Sequence, residues 1–284
     1  VGSIGENLDH TFPVTHIGET PDCLQLLLDG KHEFAQKLEK SKTPLIIVGM
    51  GAFQRKDGLA IHAKVQELAD KFNVVHENWN GFNVLHNAAS RVGAMDVGFV
   101  NPEFSMKTAD LVYFLNVDDE DIIGDIPESA FVIYQGHHGD AGAQRADLIL
   151  PGAAFTEKTA LYVNTEGRVQ TTQKVVHPPG EAREDWKILR ALSEKTGSPL
   201  PYDNLIDLRD RIVNQWPIFD SLDRLTQAEW KKFGDNKSRI DSSRPFRSPV
   251  RNFYITNVIT RASETMAKCE EAFLKTQDVS EAAE

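Results

Sequence analysis

Histidines, carboxylates and glycines gather in one stretch, Tyr134 to Gln170, which reads YQGHHGDAGAQRADLILPGAAFTEKTALYVNTEGRVQ. His137, His138 and Asp140 are residue types that bind metals. Adjacent histidines rarely aim at one point, and no third ligand follows at a helical spacing such as H-x-x-x-H. They read better as loop histidines bonded to backbone or to a partner. Asp147, Glu157, Glu166 and Arg168 could form an acid–base or salt-bridge set. Carboxylates near an arginine more often fix a loop than catalyse. The acidic run Asp118 to Asp121 reads as a solvated loop, with divalent-cation binding as a lesser option.

Glycines are the other chemical signal. Gly136, Gly139 and Gly142 allow backbone conformations closed to other residues and a close approach to another surface. Pro151 ends the apolar run Leu148-Ile149-Leu150, as suits a strand end. Gly49-Met50-Gly51 follows a strand and precedes a helix, which invites dinucleotide binding. The third glycine of that fingerprint is absent, since position 54 is Gln. The acidic residue expected at the end of the next strand is offered only by Glu77. A tight strand-to-helix turn explains the pair as well. The chain carries no P-loop, no G-x-S-x-G and no setting for a cysteine nucleophile.

Composition narrows the function classes. The chain has 284 residues, 40% hydrophobic and 26% charged, as a soluble globular protein has. A net charge of -11 argues against nucleic acid as the main partner. Apolar runs such as Leu45–Val48 and Leu111–Leu115 are strand-sized, far from the ~20 residues of a membrane span. Cys23 and Cys269 cannot ligate an iron–sulfur cluster, which takes about four thiolates. One disulfide is possible, but two free thiols fit their separation better. The chain begins at Val1 without a leader-like segment, which reads as processing or as a piece of a longer protein.

The elements that must position these residues alternate. Val1 to Pro21 lacks periodicity and reads as an extended lead-in. Helical spacing covers Leu24 to Leu38, with Gly30 as a break. Pro44 to Gly49 is a strand, Asp57 caps a helix through Phe72, and Val74-Val75 starts the next strand, which gives a β-α-β unit. Val84 to Val92 reads as helix; Leu111 to Leu115, Ser129 to Tyr134 and Ala146 to Leu150 read as strands. Helices are expected over Glu184 to Lys195, Leu205 to Val213, Leu222 to Trp230 and Ile259 to Cys269. Lys232 to Pro249 reads as a mobile linker, and the last ten residues as disordered. Near-continuous apolar strands alternating with helices predict a parallel α/β sheet with flanking helices and a short, mostly helical C-terminal region.

Longer runs carry a resemblance. Ala146-Asp147-Leu148-Ile149-Leu150-Pro151, Glu157 and Asn164-Thr165-Glu166-Gly167-Arg168-Val169-Gln170 resemble the A-D-x-x-L-P…E…N-x-E-G-R-x-Q pattern of the molybdopterin oxidoreductase superfamily. YQGHHGDAGA, ADLILPGAAFTEKTALYVNTEGR and PPGEAREDWKILRALSEKTG, with Asn252-Phe253-Tyr254 and Ser263 to Cys269, are similar to the family of the largest iron–sulfur (75-kDa-type) subunits of mitochondrial respiratory complex I. The resemblance covers nearly the whole chain and is strongest from Tyr134 to Tyr202.

The resemblance implies the C-terminal part of such a subunit: a partial molybdopterin-oxidoreductase-like domain over residues 1–200 and a helical segment with linker and tail over 201–284. It implies 2Fe-2S and 4Fe-4S clusters upstream of Val1 and none in this segment, where no catalytic, cofactor-binding or metal-ligating residue is expected. It also implies that the molybdenum cofactor has been lost. The role implied is scaffolding in the matrix arm of NADH:ubiquinone oxidoreductase, on the matrix side of the mitochondrial inner membrane, beside other matrix-arm subunits and without a membrane span of its own. Two rivals stand beside it. One is a remnant molybdoenzyme whose loops Gly49–Gly51 and Gly136–Gly142 cradle pterin dinucleotide phosphates; the other is a free-standing protein-binding module.

Overall fold

A computed structural model describes residues 1–100, 105–117, 120–250 and 253–281, with the backbone alone over 120–121 and 275–281. The chain forms two compact units. The first comprises residues 1–92, 165–167 and 225–251; the second comprises 93–164, 168–224 and 252–284.

In the first unit, β1 (Gly2–Ile4) pairs in parallel with β2 (Thr15–Gly18). The N-terminal lead-in is therefore a strand pair, held by main-chain bonds that need no apolar periodicity. Helices α1 (Asp22–Leu28) and α2 (Glu33–Lys40) follow, parted at Gly30, whose φ of 69° ends the first. Strand β3 (Ile46–Gly49) leads through a 3-10 turn at Met50–Ala52 into α3 (Gly58–Lys71).

The strand beside β3 is not Val74-Val75. β4 (Val75–His76) makes a small hairpin with β5 (Trp79–Asn80), and β6 (Phe82–Leu85) lies parallel to β3. The apolar residues of 82–92 thus begin a strand, and helix α4 starts only at Arg91 and ends at Asp96. Asp57 heads α3 but its side chain caps nothing there, because its carboxylate is engaged by Arg55 and the amide of Asp241. Residues 232–249 do not link; Phe246 and Ile240, with Trp230, pack against the core built on Leu24, Ile61, Val65, Leu68 and Val74. Trp230 also donates to Asp70 at 2.8 Å, and Asp223 takes a φ of 56°, so 222–230 is irregular chain rather than helix.

The second unit is built on three parallel strands, β7 (Leu111–Leu115), β8 (Phe131–Gly136) and β9 (Leu148–Pro151), in that order. Helices α5 (Glu120–Gly124) and α6 (Ala141–Arg145) lie between them in sequence, and Val112, Phe114, Val132 and Tyr134 form a buried cluster. A hairpin of β10 (Leu161–Val163) and β11 (Val169–Thr171) follows. Four helices follow, joined by irregular chain: α7 (Asp185–Lys195), α8 (Leu205–Gln215), α9 (Val258–Arg261) and α10 (Glu264–Glu281). The α10 backbone is helical through seven of the last ten residues, 275–281, where the sequence predicts disorder. The architecture is mixed α/β with parallel sheets, flanking helices and a helical C-terminal part. Among the described residues no helix is long and apolar enough to cross a membrane.

Candidate functional site

The glycine turn after β3 is the first candidate. Gly49 has open space on the side where a Cβ would stand. Gly51 does not: a Cβ there would sit 2.8 Å from the carbonyl oxygen of Arg247 and 2.8 Å from the Pro249 ring. The place where a fingerprint glycine lets a phosphate approach is taken by the chain's own residues 247–249. Glu77 lies in the hairpin between β4 and β5, away from the end of any strand parallel to β3.

Arg55, four residues past Gly51, clamps that covering segment. Its Nε and NH2 groups donate to the two Asp57 carboxylate oxygens at 2.9 and 3.0 Å. The guanidinium also donates to the carbonyls of Asp241 (2.9 Å), Arg244 (2.6 Å) and Pro245 (3.1 Å). Its charge lies 5.2 Å from the Phe246 ring centre. The Arg55 hydrogen bonds hold the Asp57 carboxyl below its ordinary range, against the cost of burial.

The second candidate is the loop after β8. Gly142 is closed in by the Val117 carbonyl and the Tyr134 ring, and Gly136 by Tyr134; only Gly139 faces open space. Tyr134 in turn donates to the His138 carbonyl at 3.0 Å. Two of the three glycines therefore make room for a tyrosine of this chain rather than for a ligand. His137 and His138 meet Nδ1 to Nδ1 at 2.6 Å, so one ring nitrogen donates and the other accepts. Burial, then His138 and Lys158, push the His137 pKa down. Asp140 forms an ion pair with Arg261 at 2.5 Å.

A polar chain runs beneath this loop. Tyr113 donates to the Gln135 side-chain oxygen, Gln135 Nε2 donates to Asp185 at 2.9 Å, and Lys158 pairs with Asp185 at 2.5 Å. Gln135 is fully buried at the end of β8. Nothing in the sequence singled out Gln135, Lys158 and Asp185 as a set; the one signal was a glutamine inside an otherwise apolar strand.

The remaining sequence candidates have separate partners. Asp147 accepts from the Val132 amide at 2.8 Å and lies 3.9 Å from Arg145. Glu157 accepts from the Ala154 amide at 2.9 Å. Arg168 donates to the Asp223 carbonyl at 2.5 Å. Glu166 lies in the turn between β10 and β11. Asp118 and Asp119 fall outside the described residues, as does Asn252. Among the described residues no three His, Cys, Asp or Glu side chains come together as a metal set. Cys23 and Cys269 are both free; Cys23 is buried, with its thiol 3.7 Å from the Ile17 carbonyl.

At Gly51, Gly136 and Gly142 the chain's own residues fill the space where a pterin dinucleotide's phosphates would approach, while Gly49 and Gly139 face open space.

Comparison with known proteins gives consistent results along the chain. The family profile described as molybdopterin oxidoreductase matches residues 1–195, and one for the C-terminal region of an NADH-ubiquinone oxidoreductase subunit matches residues 224–269. The mitochondrial NADH-ubiquinone oxidoreductase 78 kDa subunit of Candida albicans is 46% identical over 286 residues, which takes in 96% of this chain and 39% of that protein. Its counterpart in Neurospora crassa is 44% identical, over 96% of this chain and 38% of that protein. The mitochondrial NADH dehydrogenase [ubiquinone] iron-sulfur protein 1 of Solanum tuberosum is 44% identical, over 97% of this chain and 37% of that protein. The chain thus spans less than two fifths of the length of each of these relatives. A profile matched across more than half of the residues, on a parallel α/β framework, places the chain in the molybdopterin oxidoreductase family.

Proposed function

We propose that this chain is a cluster-free supporting segment of the large iron–sulfur subunit of NADH:ubiquinone oxidoreductase, in the matrix arm on the matrix side of the mitochondrial inner membrane. The whole subunit passes electrons from NADH towards ubiquinone through iron–sulfur clusters carried outside these residues. This segment packs against neighbouring matrix-arm subunits and holds that route in place. The observation that carries the reading is the filled cradle at Gly51. A framework shared with cofactor-binding oxidoreductases here has Arg247 and Pro249 where a phosphate would approach. The similarity to complex I subunits along 96% of the chain supports the assembly.

Native gel separation of mitochondria from the source organism, with an antibody to residues 253–274, tests this. The chain should migrate with the band that oxidises NADH, and the purified chain should hold neither iron nor molybdenum after desalting. Stoichiometric molybdenum or extractable pterin would replace this reading with that of a remnant molybdoenzyme. A good signal confined to other bands would make it a separate binding module.

A further inference from the structure

Two strand edges in the first unit face one cavity of about 480 Å³. β1 is paired only with β2, and β3 only with β6, among the described residues. Both β1 (Gly2, Ile4) and β3 (Ile46 to Gly49) line the cavity. Ile46 N donates to the Gly81 carbonyl at 2.8 Å, on the β6 side. Backbone polar groups of a parallel strand alternate between its edges, so those of Ile47 and Gly49 turn to the cavity. On β1, the Val1 carbonyl accepts from Thr15 N and Gly5 N donates to the Gly18 carbonyl, each at 2.9 Å. The same alternation turns Gly2 and Ile4 to the cavity from the other side.

The two strands run the same way. A Cβ at Gly5, just past β1, would lie 3.8 Å from Phe246, and one at Gly51, just past β3, would lie 2.8 Å from Arg247 and Pro249. Residues 246–249 therefore cross the carboxyl ends of both. Leu24, Leu27, Ile61 and Leu68 also line the cavity and belong to the core. Beside it Leu45 and Ile47 are 53% and 55% exposed, unusual for a parallel strand, which is normally covered on both faces. The order β2, β1, cavity, β3, β6 is that of a doubly wound sheet with its central place open.

We propose that this cavity is a strand-addition site, filled by an extended apolar polypeptide segment of about five residues running parallel to β1 and β3. The occupant comes from polypeptide outside these 284 residues. The relatives supply a source, since the matched stretch is only 38–39% of the length of two of them. One face of the added strand packs on α1 and α3; its polar backbone bonds to β1 on one edge and β3 on the other. This inference stands independently of the electron-transfer reading.

The test uses the full chain and short synthetic peptides that tile the part of the Neurospora crassa 78 kDa subunit outside the matched stretch. One overlapping group should bind, and on binding should slow hydrogen exchange at the amides of Ile4, Ile47 and Gly49. Ile47→Pro removes a cavity-facing donor but leaves the β3–β6 ladder intact. It should weaken that binding about tenfold, the worth of one net backbone hydrogen bond. If the variant misfolds, the exchange pattern of the unaltered chain decides alone. The proposal is overturned if no peptide binds, if bound peptide leaves those three amides exchanging as before, or if they become protected as the chain alone is concentrated, which would make a second copy the occupant.

Discussion

Arg55 and Asp57 form a two-toothed ion pair at 2.9 and 3.0 Å, with both side chains little exposed, and the same guanidinium holds three carbonyls of residues 241–245. A local pair two residues apart thereby fastens a segment that arrives from almost 190 positions later.

Arg55→Met should destabilise the first unit by about 3 kcal/mol, because it leaves the Asp57 carboxylate buried and without its cation. Asp57 has a folded pKa below its unfolded value, so its contribution is present above the unfolded pKa and is lost as pH falls through the folded one. Acid titration of stability should show a carboxylate step in the native chain that is missing in Arg55→Met. Proteolysis within 241–249 should also quicken in the variant; equal cutting rates would show that the segment is held by other contacts.

Gln135→Leu should cost about 2 kcal/mol, and Tyr113→Phe about 1 kcal/mol, by urea unfolding. The first strips partners from the Tyr113 hydroxyl and from Asp185; the second leaves only the Gln135 oxygen buried and unpaired. The two losses should be less than additive in the double variant, because both break one chain of bonds.

Acid should weaken both units through histidine as well. His62 stacks on Phe233 at 4.1 Å and meets Phe53 in a tilted contact at 4.2 Å, and burial lowers its pKa from 6.5. His137 is lowered too, by burial first and then by His138 and Lys158, partly opposed by Asp185 and Glu157. Below pH 6.5 the unfolded chain binds protons that the folded chain resists, so stability falls as pH drops from 6.5 through the folded values. Unfolding midpoints of the His62→Leu, His137→Asn double variant should vary less across that window than those of the parent.

Thiol titration gives a simpler check. Cys23 on α1 is buried with its pKa raised mainly by burial, whereas Cys269 on α10 is partly exposed. A thiolate reagent should label Cys269 first and reach Cys23 only on unfolding. Equal rates would mean that the first unit opens at Cys23 in the native state.

Much of the second unit was legible in the residues. Leu111 to Leu115 and Leu148 to Leu150 are apolar at every position, as in a buried parallel strand, and both are strands, although Leu111, Leu148 and Ile149 are exposed. The Asp185–Lys195 helix showed its own amphipathic spacing. These features depend on near neighbours, so the order of side chains is enough. Strands β1 and β2 were not legible, because their bonds pair Val1 to Gly5 with residues around Thr15 to Gly18 and use the main chain that every sequence shares. The same is true of β6, whose partner Ile46 lies more than thirty positions earlier. The glycines announced close approach but not its object. That object was decided by tertiary structure alone: Arg247 and Pro249 at Gly51, and Tyr134 at Gly142. A glycine records only that something must come near, whereas what comes near is set by segments far away in the chain.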